Sequence, residues 1–164
     1  MKKVFGLMLC VILLAGCGAR ETFETVSDDL TVSGSVVGQV LVSLPEEAKA
    51  SAMVGEDGSK LYLCDGYTLT IHTMDGGGID ETLQLLTGFE KEDLTVMQTV
   101  RDGKDCYECV WTTAGEGEDQ VCRTIVLDDG GYHYAVTAMA GYTDAGNLQD
   151  AWQKIMSSVE ICTD

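Results

Sequence analysis

Five Asp-Gly pairs punctuate the chain, at Asp57-Gly58, Asp65-Gly66, Asp75-Gly76, Asp102-Gly103 and Asp129-Gly130. Between alternating apolar and polar runs, this dipeptide favours a tight hairpin turn, because both central residues take positive φ. A chain punctuated so regularly is constrained to short antiparallel strands. Placing Asp65 and Gly66 as turn residues sets Cys64 opposite Tyr67 and Tyr62 opposite Leu69. Tyr62, Cys64, Tyr67, Leu69 and Ile71 then share one face, and four of the five are large and apolar, which puts Cys64 in the core. The same construction on Asp102-Gly103 pairs Val96 with Cys109 and Leu94 with Trp111; around Asp129-Gly130 it pairs Leu127 with Tyr132 and Ile125 with Tyr134. Ala114 to Asp119 (AGEGED) reads as a longer acidic turn between those hairpins.

Ahead of the hairpins, Val40, Val42 and Leu44 alternate with Leu41 and Ser43, a short strand ended by Pro45, the chain's one proline. Glu46 to Ala52 fits either a brief helical turn or an edge segment. Two segments take the helical period instead. Ile79, Leu83 and Leu86 recur at i, i+4 and i+7, with Gly88 placed to end that helix. In Asp144 to Val159, an apolar stripe of Leu148, Trp152, Ile155, Met156 and Val159 opposes Gln149, Asp150, Gln153 and Lys154, and Thr143 or Asp144 is placed to cap its start. The expected class is α+β: a mostly antiparallel meander of about six or seven strands with two amphipathic helices packed on it.

The N-terminus carries a different signal. Lys2 and Lys3 precede thirteen uncharged residues, Val4 to Gly16. As a helix rising about 1.5 Å per residue this run falls short of a ~30 Å hydrocarbon core, so it reads as a signal-peptide core rather than a membrane span. Cys10 lies within it. The run ends in Leu14-Ala15-Gly16-Cys17, which resembles the lipobox of bacterial lipoproteins. That resemblance implies transfer of a diacylglyceryl group to the Cys17 sulfur, with Leu14, Ala15 and Gly16 recognised by the signal peptidase that cuts before Cys17. The chain then divides into a signal peptide over 1–16, a lipidated Cys17 with a flexible acidic tether to residue 35, and one domain over 36–164. The tether (GARETFETVSDDLTVSG) is polar and charged and reaches on the order of 20–25 Å as a coil.

The formal net charge is −17, and loss of Lys2 and Lys3 makes the mature chain two units more negative. Such a chain is repelled by nucleic acid and by anionic headgroups, which argues against a nucleic-acid partner. Five cysteines follow the anchor: Cys64, Cys106, Cys109, Cys122 and Cys162. Export permits disulfides, but the odd number leaves at least one thiol unpaired; alternatively all five pack as small core residues. Cys106-Tyr107-Glu108-Cys109 has C-x-x-C spacing, yet it falls in a strand, where residues three apart point to opposite faces. Cys122 and His133 share a sheet face without a third or fourth metal ligand, and His72 and His133 read as hydrogen-bonded strand residues. Glu116, Glu118 and Asp119 lack the spacing of a calcium loop and read as an exposed turn. No metal or cofactor is expected. Tyr107, Trp111, Tyr132 and Tyr134 are the candidate ligand-facing aromatics, against a reading in which they only pack the core.

The order of meander, inserted helix and closing YHYAVTAMAGYTDAGNLQDAWQKIMSSVEI resembles the PsbP/Mog1-like α/β/α sandwich, domains of which occur in small lipoproteins of Gram-positive type. That family implies accessory or assembly roles, and this chain carries no motif onto which its functional residues transfer. The expectation is a non-enzymatic domain, lipid-anchored on the extracytoplasmic face of the cell membrane, with membrane lipid as partner through acylated Cys17 and an envelope protein or small ligand as a second partner. The alternatives are a thiol-redox or other enzyme using Cys106 and Cys109 or a histidine pocket, and a structural envelope component without a ligand.

Overall fold

The computed structural model describes residues 23–32, 35–54 and 58–162. In order the chain forms β1 (Phe23–Val32), β2 (Ser35–Pro45), β3 (Lys49–Val54), β4 (Lys60–Cys64), β5 (Tyr67–Asp75), α1 (Ile79–Thr87), β6 (Val96–Arg101), β7 (Lys104–Ala114), β8 (Asp119–Asp128), β9 (Tyr132–Gly141), α2 (Ala145–Ser158) and β10 (Glu160–Cys162). Single 3-10 turns lie at Lys91–Asp93 and Tyr142–Asp144. The main sheet has seven strands in the order β3-β4-β5-β9-β8-β7-β6, and a second has three, β1-β2-β10. Its neighbours pair antiparallel throughout. This is the α+β architecture expected, with the smaller sheet as an addition.

Each face of the main sheet builds a core. On one, Leu69, Ile71, Ile125, Leu127, Tyr134 and Val136 meet Val40, Val42 and Leu44 of β2 and Leu148, Trp152 and Ile155 of α2. On the other, Tyr107, Cys109, Trp111, Cys122, Val126 and Ala135 pack under Leu83 of α1. α1 ends as expected: Gly88 is left-handed (φ 77°) and its N–H bonds the Gln84 carbonyl at 2.8 Å. The Asp65-Gly66 hairpin has the expected register, with Cys64 against Tyr67 and Tyr62 against Leu69. Val96 faces Cys109 across the Asp102-Gly103 turn.

The tether expected up to residue 35 is corrected. Residues 23–32 are β1, laid along β2 with Val26 against Val42 and Asp28 against Val40. Its inward side is Val26, Asp28 and Leu30, and Asp28 is buried. A buried carboxylate needs donors, and β5 provides them. The β4 ladder stops at the Lys60–Ile71 pair, so the next stretch of β5 has no β4 partner. There the Thr73 N–H donates to Asp28 Oδ2 (2.6 Å), and Thr73 Oγ1 donates to the Asp28 carbonyl (3.0 Å). Lys60 Nζ donates to the Ser27 carbonyl (2.7 Å) and lies 3.6 Å from Asp28 Oδ1. A residue that reads as solvated in isolation is thus a bridge between the sheets.

Smaller departures have local causes. Leu127 pairs with Tyr134 and Ile125 with Val136, two residues beyond the two-residue-turn register. The Asp129 carboxylate collects the N–H groups of Gly131 (2.9 Å) and Tyr132 (2.8 Å), which widens the loop while leaving every side chain on its expected face. Leu94 does not pair with Trp111: β6 begins at Val96, and the Leu94 N–H closes the preceding 3-10 turn onto Lys91. Asp75-Gly76 leads into α1 rather than a hairpin, with Gly76 so close to the Gly131 carbonyl that a Cβ there would stand 2.4 Å from the oxygen. Residues 46–47 form a turn and Lys49 opens β3. Asp57 of the first Asp-Gly pair lies outside the described residues.

Neither Thr143 nor Asp144 caps α2 through its side chain. Thr143 gives its N–H and hydroxyl to Glu118 of the acidic turn instead (3.2 Å each). The opposite end is held by Arg101, whose guanidinium donates to the Met156 (2.6 Å) and Val159 (3.0 Å) carbonyls, where a cation also favours the helix dipole. Midway, Trp152 Nε1 donates to Glu108 Oε1 (2.9 Å), Arg123 pairs with the same oxygen (3.2 Å) and lies over the indole (5.4 Å), and Gln149 accepts from Arg123.

Candidate functional site

A cleft of about 280 Å³ opens along α2, from Asn147 to Ile155, beside the ends of the strands. Asn147, Asp150 and Lys154 come from the polar side of α2, Pro45 and Glu47 from the turn after β2, Asp65 and Tyr67 from the β4–β5 hairpin, and Phe23 from the start of β1. The hairpin comes close because Gly66 is left-handed (φ 76°) and glycine takes that conformation without strain, placing it against Asn147 and Asp144. Tyr67 is almost wholly buried, across the hairpin from Cys64. Phe23 is exposed at the rim. Lys154 lines the same cleft as the carboxylates Glu47, Asp65 and Asp150. Walls that mix apolar side chains with a lysine and three carboxylates suit binding and orienting a polar ligand.

The structure does not bring the four candidate aromatics together. Tyr107 and Trp111 lie on the α1 face of the sheet, Tyr132 and Tyr134 on the α2 face. The Tyr107 hydroxyl accepts from Gln98 Nε2 (3.3 Å), and the Tyr134 hydroxyl donates to Asp129 Oδ2 (2.7 Å). Tyr134 is fully buried, while Tyr132 borders a shallow recess beside Lys104 and Asp129. None of the four lines the cleft. Leu14, Ala15, Gly16 and Cys17 lie outside the described residues.

Cys106 and Cys109 point to opposite faces of β7, one into each core. Two side chains so placed cannot meet the short Cβ separation of a disulfide. All five cysteines after Cys17 are free thiols. Burial pushes the thiols of Cys109 and Cys122 up to about 11, which keeps both protonated and unreactive at neutral pH. Burial also raises the Cys64 thiol, against a lowering by the facing Tyr67 side chain. A thiol-reactive chromogen at pH 8 is therefore expected to label exposed Cys162 in the folded chain and to reach Cys109 and Cys122 only after denaturation. Prompt labelling of Cys109 would contradict its placement in the core.

His133 is fully buried, with Nε2 3.5 Å from Asp128 Oδ2 and Nδ1 2.7 Å from Thr82 Oγ1. The carboxylate assigns the ring hydrogen to Nε2, so Nδ1 accepts from the Thr82 hydroxyl. This Asp-His-Thr row fastens α1 to the sheet, and neither His133 nor Thr82 opens on a described cavity. His72 is buried in β5 opposite Ala135. Among the described residues no group of three or more metal-ligating side chains converges.

Sequence reasoning missed Phe23, Tyr67 and Lys154 as neighbours. Tyr67 reads as core, Lys154 as the polar side of a helix and Phe23 as tether. A cleft formed where three chain segments meet leaves no spacing signal in any one of them.

No known family model matches the chain, and no curated protein matches it in sequence. Solved structures do. The solution structure of cyanobacterial PsbP (CyanoP) from Synechocystis sp. PCC 6803 aligns with a TM-score of 0.58 at 10% identity, over 91% of this chain and 99% of that one. LpqN, involved in cell envelope biogenesis of Mycobacterium tuberculosis, aligns with a TM-score of 0.54 at 12% identity, over 85% of this chain and 92% of that one. A crystal structure from Bacteroides thetaiotaomicron VPI-5482 aligns with a TM-score of 0.55 at 12% identity over 76% of this chain, and the match spans 46% of that longer protein. At such identities the likeness is one of fold: this chain has a PsbP-like fold. Among the described residues no helix is long and apolar enough to cross a membrane.

Proposed function

We propose that the chain is a lipoprotein held at the extracytoplasmic face of a membrane through acylated Cys17, and that it binds an envelope partner or small ligand in the cleft beside α2. The observation that carries this reading is the position of Phe23, at once the rim of the cleft and the start of the first described strand. Phe23 follows Cys17 by six residues. Fully extended at roughly 3.3–3.6 Å per residue, that stretch reaches only about 20 Å. The cleft therefore works close to the membrane, in place of the freely ranging domain that a longer tether would allow.

A binding role fits the disposition of the reactive groups. The thiols that offer C-x-x-C chemistry are separated by β7, and the buried histidine is held by Asp128 and Thr82. The PsbP-like fold and the involvement of LpqN in cell envelope biogenesis support an accessory or assembly role at the cell envelope.

Two experiments on the full chain test the reading. Cys17→Ala is expected to abolish incorporation of labelled fatty acid and to leave the protein unprocessed or released from the membrane; labelling that persists would sink the anchor. A photo-crosslinker at Asn147, in the cleft, is expected to trap a discrete envelope component in intact cells, whereas one at exposed Leu85 on α1 is not. Equal trapping from both sites would remove the cleft as the binding surface.

A further inference from the structure

We infer that the outer edge of β6 is a strand-addition site for an extended segment with an uncharged, partly apolar middle and basic residues at both ends. β6 is the last strand of the seven-stranded sheet, and among the described residues no strand lies beyond it. Asp102 (φ 51°) and Gly103 (φ 77°) both have positive φ, so the hairpin closes on the Arg101–Lys104 pair. Hydrogen-bonding direction alternates along an antiparallel strand. Arg101 and Thr99 therefore bond inward to β7, and the N–H and C=O groups of Val100, Gln98 and Val96 point outward.

Proteins protect open strand edges with charges, bulges, proline or short length, and the other edges here are protected. β1 carries Glu24 and Asp29 and a register shift at Leu30–Thr31. β3 begins at Lys49 and is irregular between Ala50 and Val54. β10 has three residues. β6 has none of these devices: its register runs unbroken over six residues, and its one charge, Arg101, is turned onto the carbonyls at the end of α2. It also presents apolar side chains to solvent on both faces. Val100 is 69% exposed on one face; Met97 (54%) lies on the other, diagonally beside Val110 (47%).

Charge selects the occupant. Glu92 and Asp93 stand exposed just before β6, Asp102 and Asp105 just after it, and Asp128 and Asp129 border Val100. The cations among them are Lys91, held by Asp80, Lys104, and Arg101, 3.9 Å from Asp102. Carboxylates therefore predominate on both sides of an uncharged VMQTV. A segment laid along this edge in either direction brings its two ends to carboxylates, and lysine or arginine there is complementary. A second copy of β6 would bring the same carboxylates from a chain of formal charge −17 and is disfavoured. Main-chain bonds supply affinity in this recognition mode, and alternate side chains supply selectivity. The site lies across the sheet from β3 and stands independently of the cleft and the anchor.

The test titrates the full chain with a fluorescent nine-residue peptide of two lysines, five alternating valines and threonines, and two lysines. Binding is expected to weaken with salt, to slow amide exchange at Val96, Gln98 and Val100, and to fall at least about tenfold when glutamates replace the lysines. Gln98→Pro removes an outward N–H, a change an edge strand tolerates, and is expected to weaken binding at least about tenfold with an unchanged circular dichroism spectrum. Should that variant fail to fold, Val100→Lys, which sets a cation in the edge, is expected to give the same loss. Absence of binding, equal affinity for the glutamate-ended peptide, or amide protection that depends on protein concentration without peptide would each overturn the proposal, the last in favour of a second copy.

Discussion

Trp152→Ala is expected to destabilise the domain by about 3–5 kcal/mol, the range for truncating a large buried aromatic. Trp152 is 2% exposed and is the point at which α2 engages the sheet in three ways. Its ring lies in the core on the α2 face of the sheet, its Nε1–H satisfies Glu108, and its face carries the Arg123 guanidinium. Truncation removes the packing and the cation–π contact together and leaves the half-buried Glu108–Arg123 pair to water. In a domain of this size the loss corresponds to a fall in melting temperature on the order of 10–20 °C. Trp152→Phe keeps most of the apolar surface and loses the donor, so it should cost nearer 1 kcal/mol, a typical net hydrogen bond. Urea unfolding of both variants reads the difference; a loss under about 1 kcal/mol for alanine would mean that α2 is seated without its tryptophan.

Asp129→Ala should be the next largest, at about 1–3 kcal/mol, because it strips the acceptor from a fully buried hydroxyl. The Asp129 carboxylate receives the Tyr134 hydroxyl and the N–H groups of Gly131 and Tyr132. Tyr134 has no room to turn elsewhere: a Cβ on Gly38 of β2 would lie 2.6 Å from its oxygen. Burial and the carboxylate raise the Tyr134 hydroxyl well above its ordinary value. For Asp129, burial raises the carboxyl, and the hydrogen bonds from Gly131, Tyr132 and Tyr134 outweigh it and hold the group below the ordinary carboxylate range. A depressed carboxylate stabilises the folded state fully above its unfolded value of about 3.9, and that contribution is lost as pH falls through the folded value. Asp129→Asn is therefore expected to flatten the acid limb of the stability curve below about pH 4, with little further change between pH 5 and 8. An acid limb as steep as that of the parent chain would show that another carboxylate controls it.

The local grammar of this fold is legible residue by residue. The Asp-Gly turns, the period-two face of Tyr62, Tyr67, Leu69 and Ile71, the Leu148–Trp152–Ile155 stripe and the Gly88 stop each depend on neighbours a few positions away. Backbone dihedral preferences and burial periodicity act at that range, so the sequence by itself determined the hairpin strands of the main sheet from β4 onward, both helices and the opposite faces of Cys106 and Cys109, while the edge strand β3 stayed open between a turn and a strand. The tertiary structure decided the rest. β1 exists because Thr73 and Lys60, more than thirty residues away, make it favourable to bury Asp28. The Asp129 loop takes its width from a carboxylate that closes onto residues ahead of it. The cleft and the open β6 edge arise from which segments end beside each other and which strand comes last. Composition carries no trace of that, because such features depend on where chain segments meet in space. The proposed anchor stands at the other extreme: the resemblance of Leu14 to Cys17 to a lipobox is read from four adjacent residues, with no tertiary structure required.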